Sequence, residues 1–222
     1  MPLIYISTPV EEWVNVTVYL PNGFFENYQV KNGSPVIVDF QNSGFNSPVF
    51  VEANEANAGS FGQPILNKGI RIEADDLIYA NLRVNSTNGA QAEMLISKGN
   101  AAIGRTFYTG HLDNGYSFPD RLNFVSVMSL ANNNTITISG LDDEANLLGL
   151  GTGQTEHTVV LQQYESLIFA ATPYNSSNPD VDAKAFIGSL LNSTEDIVVN
   201  LGSSNGNMVN TSNGRDYGMD QI

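Results

Sequence analysis

Residues 124–141 read Phe-Val-Ser-Val-Met-Ser-Leu-Ala-Asn-Asn-Asn-Thr-Ile-Thr-Ile-Ser-Gly-Leu. Two runs in which apolar residues alternate with small polar ones flank Asn132, Asn133 and Asn134, and asparagine tolerates the left-handed backbone that a tight turn needs. A period of two sends one side of each run toward a core and the other toward water, which is the pattern of a strand and not of a helix. The stretch predicts a β-hairpin. A second hairpin is predicted in Val159–Ala171, turning at Tyr164–Glu165.

Working outward, the same mixture of β-branched and aromatic residues between Gly, Asn, Asp and Pro predicts further strands. With the two hairpins, the full set is Trp13–Leu20, Pro35–Phe40, Gly69–Glu73, Leu77–Val84, Ala92–Ile96, Asn123–Leu130, Thr135–Ser139, Thr158–Gln162, Ser166–Ala171, Ala185–Leu190 and Asp196–Leu201. No segment keeps a 3.6-residue apolar period, so helices are expected to be short or absent. The fold class is all-β with antiparallel sheets.

The chain also repeats itself. Gly33–Phe40 followed by Gly69–Leu82 resembles Tyr164–Ala171 followed by Gly188–Leu201, with Ile78 and Asn81 matching Ile197 and Asn200. A similar strand stands ahead of each pair, Val14–Asn22 in one half and Val125–Asn133 in the other. Two such units, at about 13–98 and 99–222 of a single all-β module, imply propeller-like sheets built from repeated four-stranded, blade-like units. The alternative is a two-sheet β-sandwich.

Composition narrows the function classes. The 222 residues contain no cysteine, which removes disulfides, thiolate zinc sites and cysteine nucleophiles. Nine basic residues against 23 acidic ones give a formal charge of −14, so nucleic acid and anionic membrane surfaces would be repelled. Charged residues make up only 14% of the chain, so its polar character comes mainly from Asn, Ser, Thr and Gly, a composition associated with extracellular β proteins. Met1–Trp13 has no basic and apolar leader pattern, and no apolar run approaches the ~20 residues of a membrane helix. The expectation is a chain without membrane insertion whose export signal, if it is exported, has been removed.

Motifs that carry chemistry are sparse. The two histidines, His111 and His157, stand in no metal-ligand spacing, and a structural role is expected of each. Glu52, Glu55, Asp75, Asp76, Asp142, Asp143 and Glu144 could supply the carboxylate pair of a glycosidase, yet no spacing isolates two of them. Calcium takes six to eight oxygen ligands from carboxylates, amides and carbonyls. The two acidic loops that suit it are Asn178–Asp182, with Asp180 and Asp182, and Asp142–Glu144, with Asp142, Asp143 and Glu144. Neither follows the EF-hand pattern, so solvated acidic loops are the plainer expectation. No phosphate-binding glycine loop or nucleophile elbow occurs. Phe107, Tyr108, Tyr116, Phe118 and Phe124 lie in a segment rich in Gly, Asp and Pro, where aromatics could stack on sugars or fill a core. Asn-x-Ser/Thr sequons at Asn15, Asn85, Asn133, Asn175, Asn192 and Asn210 arise from composition.

Four stretches together carry a family resemblance: Lys68–Val84, Ala92–His111, Asn123–Leu141 and Gly214–Ile222. The Lys98-Gly99…Gly104…Phe107…Gly110 pattern and Asn132–Leu141 are its most specific parts. From about Leu3 to Ile222 the chain resembles the domain related to the N-terminal region of IgGFc-binding protein, found in large surface proteins of gliding and type IX-secreting Bacteroidetes. The resemblance implies an extracellular or cell-surface β module of a long adhesin or gliding-associated protein. It carries over no catalytic residues and no IgG binding. In similar proteins the sequence continues past the motif at Gly214–Ile222, which implies a fragment of a longer chain, and the sorting domain of type IX export is not part of the sequence.

The expected function is therefore a non-enzymatic surface or adhesin module that presents loops to a glycan, a surface or a protein partner. The alternative is a calcium-stabilised carbohydrate-binding or carbohydrate-active domain. No motif demands a cofactor, and calcium is the one ion the acidic loops suit.

Overall fold

A computed structural model describes residues 2–21, 23–40, 60–66, 68–85, 92–112, 122–174, 176–206 and 216–222. Among them, the strands are β1 (Pro2–Ser7), β2 (Val14–Tyr19), β3 (Phe25–Val30), β4 (Val36–Asp39), β5 (Pro64–Ile65), β6 (Arg71–Ala74), β7 (Tyr79–Asn85), β8 (Ala92–Ile96), β9 (Ile103–Tyr108), β10 (Asn123–Ser129), β11 (Asn134–Ser139), β12 (Glu156–Leu161), β13 (Ser166–Ala171), β14 (Leu190–Gly206) and β15 (Asp216–Gln221). Helix is limited to a 3₁₀ turn at Gly99–Ala102 and one α-helical turn, α1 (Pro179–Asp182). The protein is all-β, and the pairings are antiparallel throughout these strands.

The strands fall into two compact units that divide at Ser97/Lys98, with β5 belonging to the second. Unit 1 stacks a four-stranded sheet, β4-β1-β7-β8, on a three-stranded one, β3-β2-β6. Alternation explains the stacking. Ile4 and Ile6 of β1, Val14, Val16 and Val18 of β2, and Val30 and Val38 meet in one buried cluster, while the residues between them face outward.

Unit 2 is a sheet in the order β12-β11-β14-β10-β13-β5, with β9 and β15 also paired to β14. It is nearly closed into a barrel. Gly62, just ahead of β5, donates its N–H to Ile168 O at 2.9 Å, and its carbonyl lies 3.0 Å from His157 Nε2 on β12. The first part of β14 pairs with β11 and its later part with β10, and between them the β9 register slips over Asn192–Ile197. This bulge turns the long strand round a corner of the barrel. The interior is filled by residues such as Ile136, Ile138, Leu161, Leu167, Phe169 and Ile197, all almost wholly buried.

Both expected hairpins are corrected by this topology. Strands β10 and β11 do not pair with each other, because β14 lies between them; β12 and β13 likewise belong to different neighbours. The Asn132–Asn134 and Gln162–Glu165 turns are instead corner connections packed together: Ser129 N–H donates to Glu165 O (3.1 Å) and Tyr164 N–H to Ser129 O (2.8 Å). The left-handed backbone is nonetheless present at Asn133 (φ 55°) and Tyr164 (φ 65°).

The segment expected as a strand at Ala185–Leu190 is mostly a turn. Ala185 and Phe186 are buried in the barrel core without joining a ladder, and Gly188 (φ 80°) reverses the chain before β14 begins at Leu190. Gly69–Val84 supplies β6 to one sheet and β7 to another, whereas most of Gly188–Gly202 runs as a single strand. The sheets are thus antiparallel and, in unit 2, barrel-like; a propeller-like repeat of blades is not shown.

Candidate functional site

The three-stranded sheet of unit 1 has a polar outer face bounded by aromatics. On β2 the alternation that buries Val14, Val16 and Val18 turns Asn15, Thr17 and Tyr19 outward. The register sets Gln29, Asn27 and Phe25 of β3 beside them in that order, and sets Glu73 beside Thr17 and Arg71 beside Tyr19 on β6. Trp13 and Lys31 extend the two rows by one more step, with Lys31 Nζ 4.7 Å from the centre of the Trp13 ring.

Each end of the face is an aromatic held by a cation. At one end is the Trp13–Lys31 pair. At the other, the Arg71 guanidinium stacks 3.6 Å from the Tyr19 ring centre, pairs with Glu73, and braces Tyr19 against Phe25, whose ring centre is 6.0 Å away. Trp13 and Phe25 remain 52% and 56% exposed, far more than a ring recruited to a core.

Between the ends runs a ladder of side-chain hydrogen bonds. The Asn15 backbone N–H and Nδ2 donate to the two oxygens of Asp75 at 2.8 and 2.7 Å. Gln29 Nε2 donates to Asn15 Oδ1 at 3.0 Å, and Thr17 Oγ1 donates to Asn27 Oδ1 at 3.0 Å. These bonds fix the amides in place and leave Asn27 Nδ2 and Gln29 Oε1 unengaged among the described residues. A shallow hollow of about 590 Å³ lies here, lined by Asn15, Val16, Asn27, Tyr28 and Gln29. Tyr28 pairs with the buried Val16 and turns its side chain to the packed side of the sheet, where burial first, and then its hydrogen bond to Glu26 and that carboxylate's charge, push the phenol up from its ordinary value. The arrangement suits a neutral, hydroxyl-bearing ligand: rings for C–H faces, amides for hydroxyls, and no polarised nucleophile.

The outer face of the four-stranded sheet differs in kind. There Ile37, Tyr79, Met94 and Ile96 are exposed apolar side chains.

The five acids expected as calcium ligands are in unit 2. The structure joins their two loops, though not through a shared carboxylate cluster. Asn178 Nδ2 donates to Glu144 Oε2 (2.7 Å), and the Asn146 N–H donates to Asp182 Oδ1 (2.7 Å). Asp182 is wholly buried on α1, and its Oδ2 has no hydrogen-bond partner. Asp142, Asp143, Glu144 and Asp180 are exposed; Asp142 Oδ1 caps the Glu144 N–H at 3.0 Å within its own turn. Among the described residues, no three His, Cys, Asp or Glu side chains form a metal-ligand group.

The other sequence candidates are dispersed. Asp75 is engaged by Asn15, and Asp76 Oδ1 caps the Leu77 N–H; Glu52 and Glu55 lie outside the described residues. His157 bonds Gly62 and stands edge-on to Phe169, and His111 stands edge-on to Phe186. Phe107 and Tyr108 belong to β9 and not to a loop: Phe107 packs on the barrel core and Tyr108 is exposed. Phe124 is half-buried in β10, and Tyr116 and Phe118 lie outside the described residues.

No family model matches the chain, and no curated protein or solved structure matches it.

Sequence reading missed Asn15, Asn27, Gln29 and the two end pairs as a group. The signal was available in Trp13-x-Asn15-x-Thr17-x-Tyr19 and Phe25-x-Asn27-x-Gln29-x-Lys31, two period-two rows of polar and aromatic residues. Attention to the apolar half of the alternation hid the other half.

Proposed function

We propose that this chain is a non-enzymatic module of an extracellular or cell-surface protein that holds a glycan on the outer face of β3-β2-β6. The supporting observation is that face: amides fixed by mutual hydrogen bonds, a spare donor and acceptor beside a hollow, and exposed rings at both ends. The resemblance to surface proteins of gliding Bacteroidetes agrees with an adhesive role, as do the Asn- and Ser-rich composition and the net charge of −14. In this reading the chain is one module of a longer protein, and the binding element is a sheet face in addition to loops.

A glycan-array screen of the purified chain, with and without calcium, tests the proposal. Binding to one class of glycan, lost when Asn27 and Gln29 are both changed to Ala, is the expected result. An array with no signal in either condition refutes it.

A second reading, a calcium-stabilised carbohydrate-binding or carbohydrate-active domain, is favoured by one feature. The buried, unpartnered Oδ2 of Asp182 is the kind of oxygen that a bound cation or an internal water satisfies.

A further inference from the structure

The two exposed rings sit at opposite ends of one strand. Trp13 precedes β2 and Phe25 pairs with Tyr19, the last residue of β2, so the rings are separated by six residues along the strand. At roughly 3.3 Å per residue that is ~20 Å. A single sugar or a disaccharide cannot touch both. Between them the exposed functional groups are amides, a hydroxyl and two carboxylates, of which Asp75 is engaged by Asn15 and Glu73 by Arg71. Both cations of the face are likewise committed to ring faces, Lys31 to Trp13 and Arg71 to Tyr19, so they brace the rings more than they offer an anion site. The chain's overall negative charge disfavours a polyanion further.

We infer that the ligand of this face is an extended, uncharged oligosaccharide lying along β2, with one sugar on Trp13, one on Phe25 and the intervening hydroxyls over Asn27 and Gln29. The inference rests on the glycan-binding reading above and adds to it the ligand's length, charge and direction. Lys31 packs against Trp13 directly, and Arg71 packs against Tyr19, which Phe25 neighbours, so each exposed ring has a partner that restricts it and less rotamer freedom to lose on binding. The ladder from Asp75 through Asn15 to Gln29 does the same for the amides, so the face is organised before the ligand arrives.

Trp13 is the sole tryptophan of the chain, so its fluorescence reports directly on one end of the site. The test titrates the full chain with cello-, manno- and xylo-oligosaccharides from disaccharide to hexasaccharide, and with heparin as the polyanion. Expected is a shift of Trp13 emission by at least one neutral series, an affinity that rises with chain length until both rings are spanned, and no binding of heparin. Trp13→Ala, followed by calorimetry, and Phe25→Ala should each weaken the longest ligand about tenfold, while a disaccharide loses affinity with only one of the two. Both side chains are exposed, so each variant should melt with the wild type, and Phe25→Tyr should retain binding.

Neutral chains that bind with no length dependence, or that are indifferent to both ring substitutions, overturn this inference and leave glycan binding standing. Heparin binding in place of neutral chains overturns it as well. If no glycan of any kind binds, the functional reading fails together with it.

Discussion

Asn134 is the residue whose removal should damage the barrel most for its size. It opens β11, is wholly buried, and uses both ends of its amide. Nδ2 donates to Ser129 Oγ (3.0 Å) and to Glu195 O (3.1 Å), while Oδ1 accepts from Glu195 N–H (2.8 Å) and Thr194 Oγ1 (3.1 Å). Thr194 and Glu195 belong to the bulge of β14, where the ladder to β9 is interrupted and backbone groups need other partners. One side chain therefore substitutes for the missing ladder. Its four shorter hydrogen bonds, at about 1 kcal/mol net each, set the scale for Asn134→Ala at ~4 kcal/mol. Thr194 and Glu195 are exposed, so water can reach part of what is left unpaired, and the expected loss is about 2–3 kcal/mol.

Urea unfolding followed by far-ultraviolet circular dichroism measures this as a lower midpoint with an unchanged slope. The neighbouring Asn133→Ala is the control: it is exposed and has φ 55°, so it loses one long, exposed hydrogen bond from Gln162 and otherwise bears the cost of a left-handed alanine, roughly 1 kcal/mol. A loss for Asn134→Ala no larger than that of Asn133→Ala would refute the argument, because the bulge would then be holding itself without the amide.

Four further outcomes are expected. A Cβ at Gly202 would lie 2.0 Å from the Gly218 carbonyl oxygen, so Gly202→Ala should separate β15 from β14, seen as lost hydrogen-exchange protection at Asp216–Gln221; retained protection would refute it. Asp182→Ala leaves the Asn146 N–H without its acceptor and should cost about 1–3 kcal/mol. If Asp182 Oδ2 also binds calcium, millimolar calcium should stabilise the fold by ~2.7 kcal/mol at a hundredfold excess over Kd and so raise the Tm more than sodium chloride of equal ionic strength does, and Asp182→Asn should reduce the difference; coincident melting curves would dismiss the ion. The folded state holds the Tyr28 proton more tightly than the unfolded chain does, so the stability from this group is complete below its ordinary value near pH 10 and falls as pH rises beyond it. Tyr28→Phe should lessen that alkaline loss in a denaturation series, and an identical loss in the variant would contradict the assignment.

How far the fold could be read depended on whether a residue's pattern was local. Ala92–Ile96 and Ser166–Ala171 are strands with the bounds their composition predicted, since β-branched and apolar runs between polar turns need no partner to be recognised. Phe25–Val30 was missed because it reads Phe-Glu-Asn-Tyr-Gln-Val, with only Val30 fully buried. Its strand state is imposed by pairing with β2, a tertiary effect that overrides weak propensity. Ala185–Leu190 failed in the opposite sense: Ala185 and Phe186 are buried as a strand's residues would be, yet they enter the core from a turn. Burial is visible in a sequence; the element that delivers it is not.

The misread hairpins follow from the same asymmetry. Asn132–Asn134 has the residues for a tight turn, and a tight turn does form, with Asn133 left-handed. What local chemistry cannot specify is whether the strands leaving the turn meet each other or a third strand. Here β14, more than fifty residues later, takes that position, and the side chain that marks the exchange is Asn134 itself, bonded to Ser129 across the turn and to Thr194 and Glu195 of β14. The candidate site shows the converse. Its rows on β2 and β3 are close in sequence and paired by a short connection, so its chemistry could have been read from residues 13–31 by asking what the outward half of each alternation carried. The inward half decides how a sheet packs, and the outward half is where a sheet that packs on one side only can meet a ligand.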